Sequence, residues 1–466
     1  MLRIAVGLIV VVDLAIRATD LVAHYTDAGV LPRADLIATA EEPLWFSVHM
    51  GSGQWPFQAA LFLVAGLAGA ALCAGYRTRW ATLVSWFMLC SLQARNPVVL
   101  NSGDALLRLL LFWGIFLPWG ECWSMDRRGR TNASQVATAG TAAYALQIAL
   151  VYLSAGLHKS GQPWREGTAV YYALSIDQYV TPVGTWLLQF PALLSGLTYA
   201  TVAFQLSFPL LLTGGERLRT LAVVGSVLLH LGIGSCLHLG IFSGVATVAA
   251  VGLLPAWFWQ RLEGLWPRLR AEPGSSEPPT GLPRPMTALV LVLMVASAVL
   301  NAANLWPAVR LSPTAAFLPR LLRLEQYWGM FAPRPLADDG WYVPVGILRN
   351  GKQVDLRNGG EVRWDKPARL ADTYPNERWR KYQMALYELP NSPHRKFYCR
   401  YLGSRWNASH RGPWRVATVD LFFVRERTLD GYRTADPERI RMFRYDCPED
   451  PREGFRELFQ PRPPRQ

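Results

Sequence analysis

Val151-Tyr-Leu-Ser-Ala-Gly-Leu-His-Lys-Ser-Gly-Gln-Pro-Trp-Arg-Glu-Gly167 opens as the end of an apolar helix and closes as a polar loop bearing an aromatic ring. His158 and Lys159 stand at the junction. A Lys at the edge of a hydrocarbon layer is costly when charged, so its pKa is pushed down toward the neutral amine, which is a base. On these residues alone, a Lys that snorkels to anchor a helix end is the simpler reading. Gly156, Gly161, Pro163 and Gly167 work against it, because they break the helix where backbone can line a cavity.

Whether that Lys lies at a membrane edge depends on the rest of the chain. Its 466 residues are 51% hydrophobic and only 17% charged, a charge-poor balance for a soluble protein. The apolar residues crowd into Met1–Val309, whereas Arg310–Gln466 has ordinary soluble composition. A spanning helix needs about 20 mostly apolar residues. The candidates are Ile4–His24, Pro56–Tyr76, Trp80–Arg95, Asp104–Trp119, Ala139–Leu157, Pro191–Leu212, Leu218–Leu239, Phe242–Trp259 and Met286–Val309. Ala169–Phe190 is amphipathic and reads as an interfacial or re-entrant helix. The fold class is therefore mainly α. It is a polytopic transmembrane helical bundle of eight or nine spans, nine favoured, with a smaller C-terminal α+β or mostly β domain outside the membrane.

The net charge of +13 excludes little by itself, but much of it sits in short loops between apolar segments, which is a topology signal rather than a nucleic-acid footprint. Arg77 and Arg79 follow the second segment, Arg127, Arg128 and Arg130 the fourth, Arg217 and Arg219 the sixth, and Arg261, Arg268 and Arg270 the eighth. The alternate loop Tyr25–Trp55 carries Asp27, Asp35, Glu41 and Glu42 against Arg33. These charges predict a cytoplasmic N-terminus. With nine spans the C-terminal domain and Lys159 both fall on the outer side. Asp13, Arg17 and Asp20 interrupt the first segment, which argues against a cleavable signal peptide.

Four regions follow: a bundle over 1–270, a cytoplasmic Pro/Gly/Ser linker over 271–285, a last span over 286–309, and an outer domain over 310–466. In the outer domain Trp341–Leu348 and Gln353–Leu356 flank Asn350-Gly351, a hairpin turn signal. Ala417–Val424 and Ile440–Tyr445 are further strands, and Glu377–Leu386 is a helix. Cys399 and Cys447 are candidates for a disulfide if the domain is extracytoplasmic.

Several polar groups interrupt the apolar segments. Asp13, Arg17 and Asp20 share a helix face, which suits a self-neutralising network inside the bundle. Asn101-Ser102-Gly103-Asp104 reads equally as a helix cap and as a cavity wall on Lys159's side, with Asp104 and Arg108 spaced for an ion pair. His230 and His238, eight apart, do not have a metal spacing, and neither a zinc signature, a phosphate loop nor a Gly-x-Ser-x-Gly elbow occurs, so no metal is expected. The absence of an inverted repeat disfavours a transporter.

Ala155-Gly156, Lys159, Trp164 and Glu166-Gly167 form a frame that resembles the base-bearing segment of the vitamin K-dependent γ-carboxylase. Arg95–Trp113 with Trp123-Ser124-Met125-Asp126, His230–Phe242 and Tyr327–Pro333 resemble the bacterial branch, the HTTM (horizontally transferred transmembrane) domain proteins. The resemblance implies a lyase-type carboxylase in which Lys159 deprotonates a reduced, vitamin K-type quinone. Oxygen then yields a strong base that removes a γ-proton from a peptide Glu, and carbon dioxide traps the carbanion. His158, Trp164, Glu166, Asn101, Asp104 and His230 become candidate substrate or quinone groups. The implied partners are the lipid bilayer and an exported peptide or protein, with no nucleic acid. Where the animal enzyme has Asn-Asn-His, this chain has Asn101-Ser102-Gly103-Asp104, without a His. The alternative is a non-catalytic maturation, immunity or lipid- or quinone-binding protein on the same scaffold.

Overall fold

The computed structural model describes residues 1–39, 47–127, 138–265, 282–306, 308–309 and 312–449. The linker at 271–285 therefore lies almost wholly outside the described residues, as do Glu41, Glu42, Arg128, Arg130, Arg268 and Arg270 of the loop-charge pattern.

Long helices build the first two-thirds of the chain: α1 (Leu2–Ala18), α2 (Trp55–Ala74), α3 (Thr78–Arg95), α4 (Ser102–Gly114), α5 (Ala139–His158), α6 (Pro191–Thr213), α7 (Gly215–Cys236), α8 (Phe242–Val251), α9 (Ala256–Leu265) and α10 (Arg284–Leu305). Each apolar stretch of the sequence is helical; among the described residues, α2, α5, α6, α7 and α10 are long and apolar enough to cross a membrane, and the bent pair α8–α9 makes a sixth if counted as one span. The expected straight span Phe242–Trp259 is a pair of short helices, α8 and α9, bent by 97°. The helix expected at Ala169–Phe190 is likewise divided, into Ala169–Leu174 and Pro182–Leu187, with Val180 bridged to Leu237 in between. Thr181 and Pro182 restart the chain there, the Thr181 hydroxyl capping the second piece.

The bundle core is continuous from Val6 and Val10 of α1 through Leu106–Trp113 of α4 to Tyr152 of α5 and Phe208 of α6. Helix α4 has only 13 residues and is buried nearly all round, so it reads as a core helix rather than a lipid-facing one. Two family-like stretches serve this framework. Arg95, fully buried, donates to the Leu31 carbonyl at 2.8 Å and to that of Thr26 at 3.1 Å, and Asn96 donates to that of His24 at 3.0 Å. At the opposite end Asp126 accepts from the Arg77 and Thr78 amides at 2.7 and 2.8 Å, closing the α2–α3 turn.

The C-terminal region is an antiparallel sheet of β1 (Asp338–Leu348), β2 (Gln353–Asp355), β3 (Val416–Leu429), β4 (Arg433–Thr434) and β5 (Glu438–Asp446). Strand β1 pairs with β2 and β3, and β3 also pairs with β4 and β5. The hairpin at Asn350-Gly351 is present, with Gly351 at φ +82°, a conformation that glycine adopts without strain. One face carries α11 (Glu377–Tyr387), as expected, and α12 (Ser392–Ser409), which the sequence reading missed. Cys399 and Cys447 are both free thiols, so the candidate bridge is not formed. Cys399 points into the core from α12, whereas the Cys447 sulfur rests against Gly403, one turn further along that helix.

This domain is not an appendage on a tether. Its core includes Ala23, Val30, Leu31, Val98 and Val99 from the bundle's loops. Those loops, the α7–α8 turn and the segment after α5 all meet it, so it covers the end of the bundle at which Lys159 lies.

Candidate functional site at the end of helix α5

Helix α5 ends where the sequence places its glycines. Lys159 is the residue after its last turn, at φ −77° and ψ 59°, outside the span. Gly161 follows, its amide donating to the Pro333 carbonyl at 2.9 Å. A Cβ at Gly161 would stand 2.3 Å from that oxygen, so the close approach requires glycine. Trp164 donates from Nε1 to the Phe331 carbonyl at 2.9 Å. The Tyr327–Pro333 stretch is thus the floor on which the Lys159 loop is built.

Lys159 is 8% exposed. Its ammonium donates to the Ala155 carbonyl at 3.0 Å and stands 5.1 Å from the centre of the Trp164 ring. No carboxylate among the described residues pairs with it, and burial alone lowers its pKa from 10.5 to about 8. His158 bonds through Nδ1 to the Ser154 carbonyl at 2.7 Å and packs against Tyr327 with ring centres 5.0 Å apart. Its Nε2 is buried without a partner. Glu166 is exposed and accepts from Gln162 at 2.8 Å.

The Ala155 residue that holds the Lys159 ammonium also lines an apolar cavity with Leu106, Tyr152, Gln205, His230 and Phe242. His230 Nε2 and the Tyr152 hydroxyl are 2.9 Å apart, and that hydroxyl also bonds Ser226. His230 Nδ1 and Gln205 Oε1 are buried and unpartnered. The cavity measures about 20 Å³, room for a water and not for an aromatic ring. Tyr152, Gln205 and Ser226 were not foreseen. Ser226 and His230 are four apart on α7, which was the available signal.

His238 does not share a helix with His230, because α7 ends at Cys236. Asn101 and Asp104 belong to a different setting. They form the capping box of α4, and Asp104 pairs with Arg17 of α1 and Arg378 of α11 rather than with Arg108. Arg378 reaches Asp104 and Asp13 at 2.6 Å each, and Arg17 reaches Asp13 at 2.7 Å. All four side chains are at most 1% exposed. The expected network in α1 is therefore present but completed from α4 and the C-terminal domain. Asp20 stands apart from it and accepts from Asn376. Arg108 instead donates to Gln93 and to the carbonyls of Arg323 and Glu325.

The bent pair α8–α9, the buried Lys and the capping box all fall within or beside residues 41–257, which match the family model of the HTTM domain. That match covers a little under half of the chain. The sporulation-delaying protein SdpB of Bacillus subtilis (strain 168) is 26% identical over 173 residues, which cover 34% of this chain and 52% of that protein. The chain thus spans about half the length of that relative. No solved structure matches it. The matched stretch contains Lys159, His158, Trp164, Glu166, Asn101, Asp104 and His230, whereas Arg378 and the Phe331 and Pro333 carbonyls that complete the two settings come from beyond it.

Proposed function

We propose that this HTTM-domain protein is a γ-carboxylase-like membrane protein that modifies an exported peptide, with Lys159 as its base. The carrying observation is an amine that is buried, unpaired with any carboxylate among the described residues, and held at a helix end. A base working near neutral pH needs a pKa near that range, and desolvation supplies it. Trp164 and the Ala155 carbonyl orient the amine; the outer domain limits water around it.

Reduced quinone, oxygen and carbon dioxide are the co-substrates this reading implies. Tyr152, Gln205 and His230 offer the hydrogen bonds a quinone would use, but a cavity of about 20 Å³ does not fit its ring. The reading places the protein in an inner membrane with nine spans, the N-terminus inside and the C-terminal domain outside. A reporter active only outside the cytoplasm, fused after Gln466, is expected to be active; an inactive fusion contradicts that orientation. The reaction is tested by mass spectrometry of candidate exported peptides co-expressed with the protein or with Lys159→Ala. Modification that persists in the variant defeats the base assignment.

One observation favours the non-catalytic alternative: the Lys159 ammonium already has a carbonyl and a ring to rest on. That reading expects Lys159→Ala to leave the cellular phenotype intact while disruption of the outer domain abolishes it.

A further inference from the structure

A second, polar cleft of about 300 Å³ lies between the α7–α8 turn and α11. Gly234, His238, Gly240 and Ser243 form one wall, and Glu377 and Arg380 the other. Arg380 is 6% exposed and donates to the His238 carbonyl, yet its Nε has no partner and it makes no ion pair among the described residues. A buried guanidinium without an ion-pair contact is an expensive feature, and its planar fork suits an oxyanion. The Ser243 hydroxyl is also buried and unpartnered. Glu377 accepts from Asn101 through Oε1, while its Oε2, 3.8 Å from Arg378 Nε, faces Gly240 on the cleft. Gly240, at φ +60°, brings the turn so close that a Cβ would collide with the Glu377 carboxylate.

Glu377 and Arg380 are three residues apart on α11 and so present their charges side by side. A simple anion would meet Glu377 as well as Arg380, and a simple cation the reverse. A ligand carrying both charges a few ångströms apart satisfies both side chains. The cleft opens where the span α7 ends, and Leu228 and Leu231 lie exposed on that helix one to two turns below Gly234. We propose that this cleft binds the phosphoethanolamine headgroup of a membrane phospholipid, with the phosphate on Arg380 and Ser243 and the ammonium on Glu377. The acyl chains run down the exposed face of α7. A trimethylammonium headgroup has no N–H to give Glu377, and a glycerol headgroup has no cation.

The test is native mass spectrometry of the delipidated full chain offered dioleoyl phosphatidylethanolamine, phosphatidylcholine or phosphatidylglycerol at equal concentration, with the melting temperature measured alongside. The ethanolamine lipid is expected to be retained at least tenfold over the other two. Arg380→Gln brings it down to their level, and Glu377→Gln raises phosphatidylglycerol toward it. Should Arg380→Gln not fold, Ser243→Asp decides, since it sets a carboxylate against Arg380 and should abolish retention. Equal retention of the three lipids, or undiminished retention in Arg380→Gln and Ser243→Asp, overturns the proposal. So does competition by soluble phosphoethanolamine at the lipid's own concentration, which would make the ligand a solute. No turnover is read, so neither outcome depends on the role of Lys159.

Discussion

Two buried cationic settings lie at the same end of this bundle and are treated in opposite ways. Arg17 and Arg378 share Asp13 and Asp104, two cations with two carboxylates, every member almost fully buried. Among the described residues, Lys159 is buried with a carbonyl and a ring as its polar company. The first arrangement has no charge left to act with; it docks the C-terminal domain on α1 and α4. The second leaves a group whose protonation is undecided near neutral pH. Position in an apolar segment is therefore a poor guide to chemistry. The company a charge keeps separates architecture from a reactive site.

The sharpest way to break the comparison is Arg378→Ala. It strands Asp13 and Asp104 against a single cation, and removing one partner from such a cluster costs about 3–5 kcal/mol. Thermal unfolding in detergent should show the loss, with part of it restored by adding Asp104→Asn. An unchanged melting temperature would mean that the cluster does not hold the domain.

Asp339 at the start of the sheet is an intermediate case. It accepts from the Asp177 backbone amide, and burial, with the nearby Asp177 carboxylate second, raises its pKa from 3.8 to about 7. The folded carboxyl keeps its proton up to about pH 7 and the unfolded one only to about 3.8, so unfolding releases a proton between them. Stability contributed by this group falls as pH rises through that window, and the penalty stands in full above it. Asp339→Asn should gain on the order of 2 kcal/mol at pH 8 and little at pH 4. A gain of equal size at both pH values would assign it to something other than this proton.

Tyr152→Phe removes the hydroxyl between Ser226 and His230. About 1 kcal/mol of stability should go with it, read by denaturant unfolding. No change would show that the hydroxyl's partners are already satisfied elsewhere. The smallest effect on stability belongs to Lys159→Ala, under about 1 kcal/mol, because the loss of one hydrogen bond is offset by relief from burying an amine.

Much of the fold was legible because helices and strands leave periodic traces. The nine apolar stretches are helical, and both hairpin strands flank Asn350-Gly351 as the turn residues require. Helix α12 escaped notice because Pro393, Gly403 and its scattered cations give no apolar stripe. The break at 175–181 was hidden for the opposite reason: the flanking amphipathic pattern continues across it, and its cause is the Asp177 and Gln178 contacts to Asp339 and Gly340. Those contacts are 162 residues apart in the chain. Asp104 was misassigned for the same reason. Spacing offered Arg108 four residues on, whereas the partners that won come from 87 and 274 residues away. Lys159 was legible as a position, since its glycines and Pro163 mark the helix end, but its isolation from carboxylates is a fact of tertiary packing.

The central claim is that the unpaired amine acts and the paired cluster holds. Mass spectrometry of the exported peptide made alongside wild-type protein, Lys159→Ala and Lys159→Arg tests it most directly, with the three proteins at matched folded abundance. The expected result is a modified peptide with wild type and an unmodified one with both variants, Arg being charged at all relevant pH values. Equal modification by all three would contradict the claim and leave Lys159 as a helix anchor.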